Sequence, residues 1–174
     1  KDCPLASAAT WGETEIVKTL LKAGAKVDAL GSGHPALWWA AFAGSQASTL
    51  TALLDAGADV EAQSTGMGTP LFTLLTQGKS PAEPVATITS QSPYIVKAGV
   101  VLPPRMLNPQ ESDYSTIEDM MAVLITHNAK AEGTIPRTGE TALMWAGRGN
   151  RADAIKALIA AKADLNAKSK TNMT

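Results

Sequence analysis

Four times in 174 residues the chain writes nearly the same phrase: "LLKAGAKVDA" at 20–29, "LLDAGADVEA" at 53–62, "LITHNAKAEG" at 124–133 and "LIAAKADLNA" at 158–167. A second phrase precedes each copy: "CPLASAATWG" at 3–12, "PALWWAAFAG" at 35–44, "TPLFTLLTQG" at 69–78 and "TALMWAGRGN" at 141–150. Two motifs recurring in phase mean that one supersecondary unit is stacked on copies of itself, since a single unit cannot bury its own apolar face. Counted from Pro4, Ala36, Pro70 and Ala142, the steps are 32, 34 and 72 residues. The excess of 38 residues (72 − 34) lies between the two phrases of the third unit, over residues 79–116, because Gly78 to Asn128 spans 50 residues where Gly12 to Gly24 spans 12.

Each phrase reads as a helix. Thr69 and Thr141 suit the N-cap position, with Pro4 and Pro70 at the first helical position, where a missing N–H is harmless. Leu5, Ala8 and Ala9, and again Leu37, Ala40 and Ala41, recur at helical spacing, and "ETEIVKTLLKAG" carries Ile16, Val17, Leu20 and Leu21 as one apolar stripe. Gly12, Gly44 and Gly78 end the first helix, and Gly24, Gly57 and Asn128 suit a left-handed position after the second. Lys162 at the same place is a poorer fit, costing about 1 kcal/mol.

These copies resemble ankyrin repeats, whose consensus runs T-P-L-H-x-A-A-x-x-G, then a second helix, then G-A-D-V-N-A. The resemblance implies an all-α solenoid of stacked helix-turn-helix units with hairpin finger loops. The repeats would run over about 3–34, 35–68, 69–136 with the insertion 79–116, and 137–170. It also implies a non-enzymatic module that binds other proteins. The His of the consensus is missing throughout, its places being held by Ala6, Trp38, Phe72 and Met144, so apolar packing is expected to replace its hydrogen bonds. Cys3 and Pro35 stand where capping threonines are usual. Thr174 falls where a further repeat would begin and neither end shows a polar capping repeat, so the chain is expected to be an internal stretch of a longer repeat protein. The Ala-rich, Gly-punctuated repeats look like those of bacterial ankyrin proteins.

The insertion differs in composition. It holds six of the ten prolines and two β-branched runs, "VATIT" at 85–89 and "YIVKAGVVL" at 94–102, which predict a small β-hairpin turning near "SQSP". A loop this long is either a docking element or a tolerated surface excursion, because lengthening a loop adds little closure entropy.

If the first helices line a concave groove, the residues turned into it are Ser7, Thr10 and Trp11; Trp39, Phe42 and Ala43; Thr73, Thr76 and Gln77; Trp145, Arg148 and Gly149. Trp and Arg dominate binding hot spots, which makes Trp11, Trp39, Phe42, Thr73, Gln77, Trp145 and Arg148 the candidate partner-binding row. Alternatively the tryptophans fold down between repeats, as Trp38 does by position, or the insertion or a neighbouring domain covers them. The finger loops, about 28–35, 61–68, 132–140 and 168–173, are the other contact surface.

Composition narrows the partner. The net charge is −1, from 15 basic and 16 acidic residues, which does not favour nucleic acid or an anionic membrane. No apolar run approaches the roughly 20 residues of a membrane span. Cys3 is the single cysteine, so no internal disulfide can form, and bacterial cytoplasm, periplasm and secretion all stay open. His34 and His127 are expected to lie far apart, no Cys/His cluster has metal-ligand spacing, and no catalytic residue, metal or cofactor is assigned. Cys3 reads as a capping substitute and "GSGHPA" at 31–36 as a turn. The acids Glu111, Asp113, Glu118 and Asp119 read as a helix start near Thr116. The expected partner is therefore a protein or an adjacent domain of the same polypeptide. The alternative is a ligand-binding or enzymatic site built by residues 79–116 against the groove, marked by convergent polar groups in a pocket.

Overall fold

Helices of seven to ten residues are shorter than the ~12–15 residues that isolated helices need in water, so each must be held by its neighbours. The computed structural model describes residues 3–63, 68–76, 95–97, 100–102, 116–135 and 138–170. It contains α1 (Pro4–Thr10), α2 (Thr14–Lys22), α3 (Ala36–Ala43), α4 (Ala47–Asp55), α5 (Pro70–Thr76), β1 (Ile95–Lys97), β2 (Val100–Leu102), α6 (Ile117–Thr126), α7 (Ala142–Arg148) and α8 (Ala152–Ala160). The helices pair as α1–α2, α3–α4, α5–α6 and α7–α8. The first helices touch in the order α1, α3, α5, α7 and the second helices in the order α2, α4, α6, α8. The result is a two-layered, all-α ladder of four rungs.

The core runs the length of the ladder between the layers. It includes Leu5 and Val17 in the first rung, Leu37, Leu50 and Leu53 in the second, Leu71, Leu74, Met121 and Leu124 in the third, and Ala146 and Leu158 in the fourth. Ala8, Ala9, Ala40, Ala41 and Ala146 are buried, and side chains this small let the first helices approach closely. Between the first and second rungs, within the second-helix layer, the buried Thr49 hydroxyl is satisfied by Thr14 Oγ1 at 2.7 Å.

Local signals decide where the helices start and stop. Thr69 Oγ1 accepts from Phe72 N and Thr141 Oγ1 from Met144 N, each capping a helix. Thr116 and Asp119 form a reciprocal capping box, which is the role the acidic residues near Thr116 predicted. Cys3 and Pro35 hold the N-cap positions of α1 and α3 without a side-chain cap bond. At the other ends, Gly12, Gly44 and Asn150, and Gly24, Gly57, Asn128 and Lys162, all have positive φ. Each closes a double hydrogen-bonded turn, as where Ala25 N donates to Leu20 O and Gly24 N to Leu21 O. Asn128 and Lys162 take this conformation at φ 66° and 62°.

The finger loops are tied from rung to rung. Asp28 Oδ1 accepts from Asp59 N at 3.1 Å, Glu61 Oε1 from Lys130 N at 2.7 Å, and Thr138 O from Lys170 N at 2.8 Å.

The small hairpin of the insertion differs from its expected form. Both strands come from the second β-branched run, with Ile95 opposite Leu102, Val96 opposite Val101 and Lys97 opposite Val100. Two residues separate the strands in sequence, so pairing within this run closes a far shorter loop than pairing across "SQSP". The run at 85–89 lies outside the described residues.

Candidate functional site

The candidate surface is the row of first helices, whose equivalent positions fall on one side of the ladder. Two clusters occupy it. On α3, Trp38 and Phe42 stand one turn apart and stack with ring centroids 4.8 Å apart. His34, from the loop before α3, stacks on Trp38 at 4.2 Å. Trp39 meets Trp38 edge-on at 5.3 Å and Phe42 at 5.9 Å. Trp38 fills the place of the missing consensus His and is fully buried, with its indole N–H unpartnered among the described residues. Burial lowers the pKa of His34 below the usual imidazole value.

Trp39 is half-buried, and its indole N–H donates to Gly31 O at 2.7 Å, pinning the first finger loop to α3. That loop closes as a small bridge between Gly31 and His34. A Cβ on Gly31 would lie 2.6 Å from Ala6 Cβ, so the loop packs against α1 only because Gly31 has none.

The second cluster surrounds Glu140, in the loop before α7. Its carboxylate is 8% exposed as a residue and accepts from Trp145 Nε1 at 3.2 Å, Arg148 Nη1 at 2.5 Å and Thr138 Oγ1 at 3.2 Å. The Arg148 guanidinium also lies 5.8 Å from the Trp145 ring centroid. Phe72 of the third rung meets Trp145 edge-on at 5.7 Å.

The seven candidate residues are therefore placed unequally. Trp11, at the end of α1, is 36% exposed. Trp39 and Phe42 are half-buried and share one cluster, while Arg148 is exposed. Trp145 is 6% exposed, not open to a groove, because Glu140 binds its polar edge and Phe72 covers its ring. Thr73 is also buried, its hydroxyl donating to Thr69 O at 2.9 Å within its own helix. Gln77 lies outside the described residues, as does nearly all of the 79–116 segment that the alternative ligand-binding or enzymatic reading invokes. Glu140 was missed from sequence as a site residue. The signal was an acid directly before a capping Thr, with Trp and Arg five and eight residues on.

Among the described residues, no three His, Cys, Asp or Glu side chains come together as a metal site. His127 lies 3.9 Å from Asp55 on the second-helix layer, and Cys3 is part-buried. No described helix is long and apolar enough to cross a membrane.

No curated protein matches the chain in sequence. The family model for the ankyrin repeat matches residues 2–32 and 138–170, the first and last rungs of the ladder. Ankyrin repeats generally mediate protein–protein interaction and are typically non-enzymatic. A helix phrase written four times, an all-α ladder and two matching segments agree: the chain carries ankyrin repeats.

Proposed function

We propose that this chain is a non-enzymatic interaction module that receives a protein partner, or a neighbouring domain of the same polypeptide, on its first-helix face. The observation that carries this reading is the accessible edge formed by Trp11 on α1, Trp39 and Phe42 on α3, and Arg148 on α7. Aromatic and Arg side chains supply most of the energy at protein interfaces, and here they are braced from below. Trp39 is fixed by its bond to Gly31 and Arg148 by Glu140, so less side-chain entropy is lost on binding. The finger loops flank this edge, and the proposed contact includes the insertion, which falls between α5 and α6 in the sequence.

The test uses residues whose loss spares the core. A partner is captured with the intact chain, purified, and its affinity measured by calorimetry for wild type, Trp11→Ala, Arg148→Ala and Lys18→Ala. The first two weaken binding at least tenfold with folding unchanged, while Lys18→Ala on the second-helix layer does not. Equal affinities for all four would remove the first-helix face from the interface.

A further inference from the structure

Each finger loop puts one residue at the same place in the repeat: Leu30, Gln63, Thr134 and Lys168, all of them exposed. Only in the first loop is that residue apolar, and Leu30 is 63% exposed. The exposure belongs to the position, since the rungs that carry Gln63 and Thr134 have a neighbour on either side. Leu30 is also held rigidly. Ser32 and Gly33 take positive φ of 49° and 89°, and Gly31 N donates to His34 O at 2.9 Å while His34 N donates to Gly31 O at 3.1 Å, closing a tight hairpin turn. Ser32 is a non-glycine residue in the left-handed region, a conformation that persists only where the surroundings fix it. Those surroundings are Cys3 and Ala6, on which Gly31 packs, and Trp39, whose indole N–H holds Gly31 O. Leu30 is thus carried beside the residue that Trp39 grips. Trp39 and the half-buried Phe42 continue the surface onto α3, which has α1 on one side and α5 on the other.

This surface carries no charge. Residues 29–54 contain no Asp, Glu, Lys or Arg, in a chain with 15 basic and 16 acidic residues. The helices α1, α3 and α5 contain none either, whereas every second helix carries charge, as at Glu15, Asp55, Glu118 and Lys156. Burial lowers the His34 pKa, which keeps its imidazole neutral at pH 7. A charged group brought to this corner would lose its water and find no counter-charge.

We infer that the corner between the first finger loop and α3 receives an uncharged, apolar segment of a partner protein, anchored on Leu30, Trp39 and Phe42. The inference rests on the first-helix reading above and names the partner's chemistry. Affinity here comes from apolar area rather than from ion pairs, so salt has little effect on it.

Random peptides displayed on phage, selected on the intact chain, test this. The most enriched peptide is synthesised and titrated by fluorescence polarisation. Enriched peptides are apolar and lack charged residues at the positions they share, and the affinity of the titrated one changes less than about twofold between low and high salt. Leu30→Gln, which copies the residue of the second loop, weakens it about tenfold, with folding unchanged by circular dichroism. Lys168→Gln, at the same place in the last loop, leaves it unchanged. A selection that enriches charged peptides, or none, overturns the inference, as does binding that Leu30→Gln does not alter. Where Trp11→Ala or Arg148→Ala weakens the peptide and Leu30→Gln does not, the corner is refuted and the first-helix face stands. Where none of the three weakens it, both readings fall.

Discussion

Glu140 and Trp145 are joined across the start of α7 by a hydrogen bond of 3.2 Å from the indole N–H to Oε2, and both residues are buried. The same carboxylate holds Arg148, so the residue that braces the exposed guanidinium also satisfies a buried aromatic. Replacing Glu140 by Ala strands the indole N–H and releases Arg148, and should cost about 2–3 kcal/mol in urea denaturation. Glu140→Gln keeps an acceptor and should cost less. Arg148 is partly exposed, and Arg148→Ala should cost about 1 kcal/mol or less. A Glu140→Ala cost no larger than that of Arg148→Ala would mean that the carboxylate does not organise this corner.

Two buried tryptophans should respond differently to the same substitution. The Trp38 N–H has no partner among the described residues, while that of Trp145 has one. Trp38→Phe removes an orphaned donor, a gain of about 1–3 kcal/mol, set against a comparable packing loss. Stability should stay within about 1 kcal/mol of wild type. Trp145→Phe loses both packing and a hydrogen bond, and should cost at least about 1 kcal/mol more than Trp38→Phe. Equal losses by thermal denaturation would count against the distinction.

Lys162 sits in the left-handed conformation that Gly24, Gly57 and Asn128 adopt at equivalent corners. A side chain with a Cβ pays about 1–2 kcal/mol there, partly offset for glycine by its freedom in the unfolded chain. Lys162→Gly should therefore stabilise by about 0.5–1 kcal/mol, raising Tm by about 2–4 °C at most. A lowered Tm would show that the Lys162 side chain contributes contacts that outweigh its backbone strain.

Acid should loosen the aromatic cluster through His34. Its folded pKa is depressed by burial, so the unfolded chain takes up the proton first as pH falls. The contribution is complete above the ordinary imidazole pKa of about 6.5 and is lost as pH falls through the lower folded value. Tm measured from pH 7.5 downward should fall more steeply for wild type than for His34→Gln across that window, with the two curves parallel above it. Curves that stay parallel throughout would place no linkage at His34.

Much of this molecule was legible as text. Family, all-α class, the caps at Thr69, Thr116 and Thr141, and the left-handed stops at Gly24, Gly57, Asn128 and Lys162 all follow from interactions within a few residues of the chain. Repetition carried such short-range signals across the ladder, because a phrase that folds one way in one rung folds the same way in the next. Tertiary structure alone decided which aromatics meet solvent. Trp39 and Trp145 occupy the same position in their rungs, yet one is half-buried and the other covered. Their neighbours differ: Gly31 takes the first indole N–H, while Glu140 and Phe72 enclose the second. Exposure depends on what a separate segment lays over a side chain, and periodicity along one helix carries no record of that.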